Sequence, residues 1–329
     1  MYDVARLAGV SHQTVSRVVN GSPQVRAETR DRVLKAMERL DYRPNSVARA
    51  LVTGRSRTLG LVTFDTDLYG PASTLLAVER AAHAAGYFVS IVSLESLERK
   101  EVARAVERLN ALGVDGIVVI APHAAATNAV WNMPADLPVV AVEAGPDDGL
   151  PVVAVDQHQG ARLATEHLLA LGHKTVHHVA GPTDFIEARY RIEGWRDALD
   201  AAGAKGSAPL RGDWSARSGY ELGRDLLDVA DLTAVFVAND QMALGMLRVL
   251  HEHGREVPRD VSIVGFDDIP EAEFFTPPLT TVRQDFAEMG RRGLHLLLEE
   301  ITAGQRSQTR VTVPATLVER SSTGPPAAR

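Results

Sequence analysis

The sequence predicts an α/β protein: a small N-terminal helix-turn-helix head, then two doubly wound parallel-sheet lobes. Three observations lead there. Residues 2–20 read as two short helices joined by a tight turn. From residue 58 onward, apolar runs of strand length alternate with amphipathic helical patterns. The charge divides at the same boundary, since residues 1–57 hold 11 Lys/Arg against 5 Asp/Glu while the 329-residue chain as a whole carries −7. A basic head on an acidic body is the asymmetry of a nucleic-acid-binding module joined to a different function.

In the head, Val4, Ala5 and Ala8 form one apolar face, and Gly9 can adopt the positive φ that turns the chain. Ser11 is a favourable N-cap for the next helix. Val15, Val18 and Val19 form that helix's inner side, which leaves His12, Gln13, Ser16 and Arg17 outward with groups that can bond base edges and phosphates. The arrangement predicts a second helix that enters a DNA major groove. A third helix is expected over 27–40, with Val33, Leu34, Met37 and Leu40 inward and Glu28 and Asp31 near its positive end. After Pro44, residues 45–51 form a short helix candidate with Asn45 as cap, and 53–57 read as linker.

Beyond the linker, strands are expected over 59–64, 88–92, 116–120, 139–143, 152–155, 176–180, 234–238 and 261–266. Helices are expected over 73–85, 98–112, 159–171, 188–202, 218–227 and 241–253. Strands this continuously apolar belong to parallel sheets covered on both faces. Their number calls for two lobes, with changes of lobe near 155, near 283–286 and after 313. The expected division is a head over 1–44, a hinge helix and linker over 45–57, one lobe over 58–155 plus 284–313, and the other over 156–283 plus 314–322. The last residues, 321–329, read as a frayed tail, of which 323–329 is set apart from the second lobe. Facing lobes of this kind bind ligands beyond the carboxyl ends of their strands.

Several chemistries are excluded. There is no cysteine, so neither disulfide nor thiolate chemistry is available. His251-Glu252-His253 lacks the spacing of a zinc-protease helix, and there is no Walker or dinucleotide fingerprint and no nucleophile elbow. The expectation is a protein that is not an enzyme and needs neither metal nor cofactor. With no signal peptide and no membrane-length apolar run in the sequence, a cytoplasmic location is expected.

Six segments carry a resemblance: Tyr2-Asp3-Val4-Ala5, Ala8-Gly9-Val10-Ser11, Thr14-Val15-Ser16-Arg17-Val18-Val19-Asn20, Tyr42-Arg43-Pro44-Asn45, the run from Val237 to Gly245, and Val264-Gly265-Phe266-Asp267-Asp268. Together they resemble the LacI/GalR family of bacterial repressors over essentially the whole chain. Gly212-Asp213-Trp214-Ser215 and Gln284-Asp285-Phe286 resemble its lactose-repressor subgroup.

The resemblance implies a headpiece, a hinge helix and a core like the periplasmic sugar-binding proteins. It places His12, Gln13 and Arg17 at base-reading positions, which suits Arg for guanine and Gln for adenine. It places Ser11, Thr14, Ser16, Asn20 and Thr29 on phosphates, which fix register. Asn45, Ala48 and Leu51 fall on the hinge, where paired helices enter the minor groove and Leu51 wedges a base step, the small alanines permitting close approach. In the core it assigns Arg191, Asn239 and Asp267 to sugar hydroxyls, Trp214 and Phe286 to the ring, and Glu143 to a position where the subgroup has Asp. Phe64, Asp65 and Asp67 fall at the cleft mouth.

The departures are as informative. His12 replaces a subgroup Tyr, implying a different operator. Arg26 stands where a capping serine is usual, and the Thr that caps the family's first helix is missing before Tyr2. The expected partners are double-stranded operator DNA, a small sugar and a second copy of the chain, with no membrane. The subgroup's leucine-rich C-terminal helix is absent, so a dimer is expected rather than a tetramer. The function expected is an operator-binding repressor released by a small sugar, probed first among galactosides. A co-repressor-dependent regulator of the same fold and a sugar-binding transport protein are the alternatives.

Overall fold

The computed structural model describes residues 1–19, 22–42, 54–64, 66–94, 99–123, 137–145, 149–230 and 232–327. The chain divides into two compact units, 1–57 and 58–329.

In the first unit, α1 (Tyr2–Ala8), α2 (His12–Val19) and α3 (Ala27–Arg39) enclose Val4, Ala5, Ala8, Val15, Val18, Val33 and Ala36. Gly9 makes the expected turn at φ 63°, and Ser11 Oγ accepts the Thr14 amide proton at 3.2 Å to cap α2. No side chain caps α1, where Met1 is the N-cap, or α3, where Arg26 is, as Arg26 implies. Leu34 and Leu40 differ from expectation: they are exposed, and Ala36 takes the inward place. So small a core admits only the narrow stripe through Val33, Ala36 and Met37, and Leu34, one residue on from Val33, already points away.

In the second unit, the first sheet is built from β1 (Thr58–Phe64), β2 (Phe88–Leu94), β3 (Gly116–Ile120), β4 (Val139–Val142), β5 (Val152–Val155) and β11 (Arg310–Val313). The second has β6 (His177–Ala180), β7 (Leu210–Arg211), β8 (Ala234–Val237), β9 (Ser262–Asp267), β10 (Thr280–Arg283) and β12 (Thr316–Val318). Their strand orders are β2-β1-β3-β4-β5-β11 and β7-β6-β8-β9-β10-β12, the same doubly wound order twice. All neighbours run parallel except β12, an antiparallel edge on β10. Helices α4 (Tyr69–Ala84), α5 (Arg99–Ala111), α6 (Gln157–Ala170), α7 (Ile186–Ala201), α8 (Ala216–Leu226) and α9 (Asp240–Glu252) cover the faces, with α10 (Phe286–Ala303) after β10. The runs of β3, β4, β5 and β8 bury as expected, every residue covered, but that of β2 does not: it is the edge of its sheet, and Phe88 and Ile91 are exposed.

Among the described residues, six elements lie outside the expected set, one of them a short 3-10 turn, Ala272–Phe274. Helix α10 carries ordinary signals, with the Asp285 cap on Glu288 and Gly304 left-handed at its end. Strands β7, β10, β11 and β12 are two to four residues long, too short to register as runs. The tail is also corrected, because its first residues are held rather than frayed. Ser322 is fully buried; its hydroxyl accepts from Thr280 N at 2.8 Å and donates to Ile263 O at 2.6 Å. Gly324 donates to Ser262 Oγ, and its carbonyl lies 3.0 Å from His173 Nε2. These bonds satisfy backbone and side-chain groups of β9 and β10 that would otherwise be buried without partners.

The lobes meet around the carboxyl ends of their strands. Leu68 and Tyr69, at the start of α4, pack on the second lobe's apolar cluster. Ile186 N donates to Pro122 O at 2.8 Å beside a His123–Phe185 bridge. Another apolar cluster runs through both sheets, from Leu59 and Val118 to Phe236 and Phe266.

Candidate functional site

On the head, α2 presents Gln13 and Arg17 to solvent. His12 is partly covered, its ring stacked on Tyr2 at 4.7 Å. Ser11 and Thr14 share a hydroxyl bond of 2.9 Å, and Ser16 and Thr29 are partly buried. These side chains share the outer surface around α2 and the start of α3. Asn20, Asn45, Ala48, Leu51 and Asp65 lie outside the described residues.

The second unit holds a cavity of about 300 Å³ between the carboxyl ends of both sheets. Glu143, Arg191, Trp214, Asn239, Asp267 and Phe286 all line it. Asp67 lines it too, but Phe64 is corrected: it is buried in the first lobe's core, because the apolar strand β1 points it inward.

Three of the lining residues are non-glycine residues in left-handed backbone: Glu143 just after β4 (φ 59°), Trp214 just after β7 (φ 73°) and Asp267 at the end of β9 (φ 111°). Such positions cost about 1–3 kcal/mol each and gather where the surrounding fold holds a side chain in a needed direction.

A closed ring of polar contacts forms the base of the cavity. Arg191 Nε donates to Gln157 Oε1 at 2.9 Å, Gln157 Nε2 to Gln284 Oε1 at 2.8 Å, and Gln284 Nε2 to Asp267 Oδ1 at 2.6 Å. Arg191 Nη2 returns to Asp267 Oδ1 at 3.7 Å, and Nη1 donates to the Ala238 carbonyl. The guanidinium lies 3.7 Å from the centre of the Phe266 ring. Burial lowers the Arg191 pKa, with Asp267 and Glu187 opposing, and the group stays cationic. Burial pushes Asp267 up to about 6, with Arg191 and Gln284 holding it down. Glu143 is pushed up to about 7, again mainly by burial, while its Oε1 accepts the Val155 amide proton at 3.2 Å.

Trp214 packs on Gly181, where a Cβ would come within 2.1 Å of the six-membered ring of the indole. It meets Phe185 edge-on at 5.5 Å, and its Nε1 is buried without a partner. Phe286, the first residue of α10, stands edge-on to Tyr69 at 5.9 Å. Asn239 is committed largely to structure, since its oxygen caps α9 at Met242 N and its amide donates to Trp214 O and Gln241 Oε1. It thereby fixes the Trp214 loop against α9. An aromatic wall, a ring of directional polar groups and a shielded indole N–H suit a small polyhydroxylated molecule, whose apolar ring face stacks while its hydroxyls bond.

Sequence reasoning missed Gln157, Gln284, Glu187 and Tyr69 as lining residues. Gln157 and Gln284 each stand just past a point where the chain changes sheets, a position visible in the strand pattern. Glu187 sits in the first turn of α7, one helical turn before Arg191.

Residues 1–45 match the family described as bacterial regulatory proteins, lacI family, and residues 165–323 match the periplasmic binding protein-like domain. The Lactose operon repressor of Escherichia coli is 36% identical, covering 98% of this chain and 90% of that protein. The HTH-type transcriptional regulator CelR of Thermobifida fusca is 37% identical, covering 97% and 96%. Among solved structures, the lac repressor dimer bound to operator and the anti-inducer ONPF superposes with a TM-score of 0.84 at 36% identity, over 98% of both chains. The transcriptional regulator CelR–cellobiose complex superposes with a TM-score of 0.73 at 34% identity, over 97% of this chain and 98% of that one. With its helix-turn-helix head, its two parallel-sheet lobes and these similarities along nearly its whole length, the chain belongs to the LacI family of transcriptional repressors.

Proposed function

We propose that this repressor binds a pseudo-palindromic operator as a homodimer and is released when a small saccharide occupies the cavity between its lobes. The observation that carries the reading is the closed Arg191–Gln157–Gln284–Asp267 ring facing Trp214 and Phe286. His12, Gln13 and Arg17 read bases in the major groove; Ser11, Thr14, Ser16, Asn20 and Thr29 hold phosphates; and Asn45, Ala48 and Leu51 act at the minor groove. In the cavity, Arg191 and Asp267 bond hydroxyls, Trp214 and Phe286 pack the ring, Asn239 contributes chiefly by holding Trp214, and Glu143 and Asp65 face the ligand.

Gln157 and Gln284 stand at two crossings between the lobes, so a ligand bonded to their ring favours one lobe arrangement over the other. That differential affinity is what shifts the population between DNA-binding and released states. The dimer is supported by the edge of the first sheet, where Phe88 and Ile91 on β2 and Leu76 on neighbouring α4 are exposed. With E. coli's lactose operon repressor and the CelR–cellobiose complex similarly placed, the saccharide ranges over galactosides and glucosides. A cytoplasmic location belongs to the same proposal.

The test begins with selection of bound duplexes from a randomised DNA library, then Trp fluorescence and anisotropy with lactose, galactose, cellobiose, glucose and ribose. A palindromic site should emerge, and one sugar should both quench or shift the fluorescence and release the DNA. A sugar that tightens DNA binding would make the protein co-repressor-dependent. Failure to enrich any site would overturn the operator reading.

A further inference from the structure

We infer that Glu187 is a ligand-contacting residue of this cavity and that, with Glu143, it restricts the effector to uncharged saccharides and rejects phosphorylated and carboxylated ones. The inference rests on the saccharide reading above and adds to it a residue and a boundary of ligand class.

The charge lining the cavity is one-sided. Asp67, Glu143, Glu187, Asp213 and Asp267 face Arg191, the only Lys or Arg lining it among the described residues. Arg191 is a poor anion clamp, because its charge is already countered by Asp267 at 3.7 Å, its Nε and Nη1 bond Gln157 and the Ala238 carbonyl, and its plane lies against Phe266, so the N–H groups it has left meet a hydroxyl beside a carboxylate. Helix N-termini, the other usual anion receptors, are partly taken: at the start of α7 Ile186 N is bonded to the Pro122 carbonyl and Glu187 sets a carboxyl in the first turn. Asn239 takes the Met242 amide at the start of α9, and Ser215 takes the Ser218 amide at the start of α8. Pro71 removes a donor from the first turn of α4.

Two buried polar atoms on lining residues lack partners: Trp214 Nε1, on a residue only 7% exposed, and Glu187 Oε2. Trp214 Nε1 needs an acceptor, and Glu187 Oε2 needs a donor once its carboxyl is ionised. A sugar hydroxyl is both, and a phosphate or carboxylate oxygen is an acceptor only. An anionic substituent would leave Glu187 unsatisfied and add like charge beside Glu143 and Asp267. Burial pushes Glu143 up to about 7 and Glu187 up to about 8, the second also because Glu143 lies near it. Above pH 8 both carboxyls are ionised and the exclusion is at its strongest.

The experiment is titration calorimetry with Trp fluorescence at pH 8.5, comparing glucose with glucose 6-phosphate and glucuronate, galactose with galactose 6-phosphate and galacturonate, and including cellobiose and lactose. The wild type should bind an uncharged member at least tenfold more tightly than its anionic partners. Glu187→Gln should narrow that ratio several-fold. An anionic partner that binds as tightly as the neutral sugar overturns the inference and leaves the saccharide reading intact, as does a folded Glu187→Gln protein with an unchanged ratio. The wild-type ratio decides the matter even if the variant does not fold. No binding by any saccharide, charged or neutral, overturns the saccharide reading and the inference with it.

Discussion

Glu187 lies close enough to Glu143 to feel its charge, in a cavity that penalises charge on both, and this has consequences for stability as well as for binding. Both start from an ordinary value of 4.5 and are pushed up, to about 7 and about 8, first by burial and, for Glu187, then by Glu143. Between pH 4.5 and about 8 the folded protein retains protons that the unfolded chain has released, so these groups make stability fall as pH rises through that window. Glu187→Gln removes one ionisation, and its melting temperature should exceed wild type by about 2 °C or more at pH 8.5. The advantage should vanish near pH 5. Parallel melting curves across that range would sink the account. His178 behaves oppositely: buried between Trp195 and Phe236, and with Nδ1 bonded to Phe236 O, it is held down to about 3 and stays neutral.

At the scale of elements, close helix crossings bring the strand ends of the second lobe together. At Gly245 on α9 an added Cβ would lie 1.9 Å from the Ala216 carbonyl at the start of α8. That approach sets α8, and with it the Asp213–Trp214 loop, against Asn239 at the start of α9. Gly245→Ala must push backbone rather than a flexible side chain, and should cost about 1–3 kcal/mol as an overpacked interface does. Chemical denaturation reads that loss. Trp214 emission should move with it if the loop is displaced, whereas an unchanged midpoint would mean that the helices part without strain. The left-handed backbone at Glu143, Trp214 and Asp267 belongs to this scale too, because each follows or ends a strand whose ladder fixes the direction from which the side chain departs.

Across the whole molecule, one order of strands is used twice, and the cavity sits where the carboxyl ends of the two sheets face each other. The chain passes between the sheets after β5, after β10 and between β11 and β12, so any ligand that bonds Gln157 and Gln284 acts on two of these crossings at once. The second copy of the chain is expected at the β2–α4 edge. Phe88→Glu combined with Ile91→Lys should convert a dimer to a monomer in light scattering and weaken operator binding at least tenfold. A variant that remains dimeric would move the interface elsewhere. The split of charge, with a basic head on an acidic body, keeps the body from competing for phosphate.

The sequence alone determined the local character of nearly every long element. Continuous Val/Ile/Leu runs mark strands, most of them doubly covered, and Gly9 and Ser11 mark the head's turn because φ and capping are properties of single residues. Its motifs also located six of the cavity's lining residues through family resemblance. Only the tertiary structure decided which polar groups meet. Gln157 and Gln284 are 127 positions apart and bond at 2.8 Å, a relation with no local signal. Glu187 reads in sequence as an ordinary acidic residue in a helix's first turn, and becomes a lining carboxyl only when the other lobe closes over it. The tail's anchoring, the exposure of Leu34 and Leu40 and the inward turn of Phe64 follow the same rule. Propensity and periodicity are set by neighbours along the chain, but burial and partnership are set by neighbours in space.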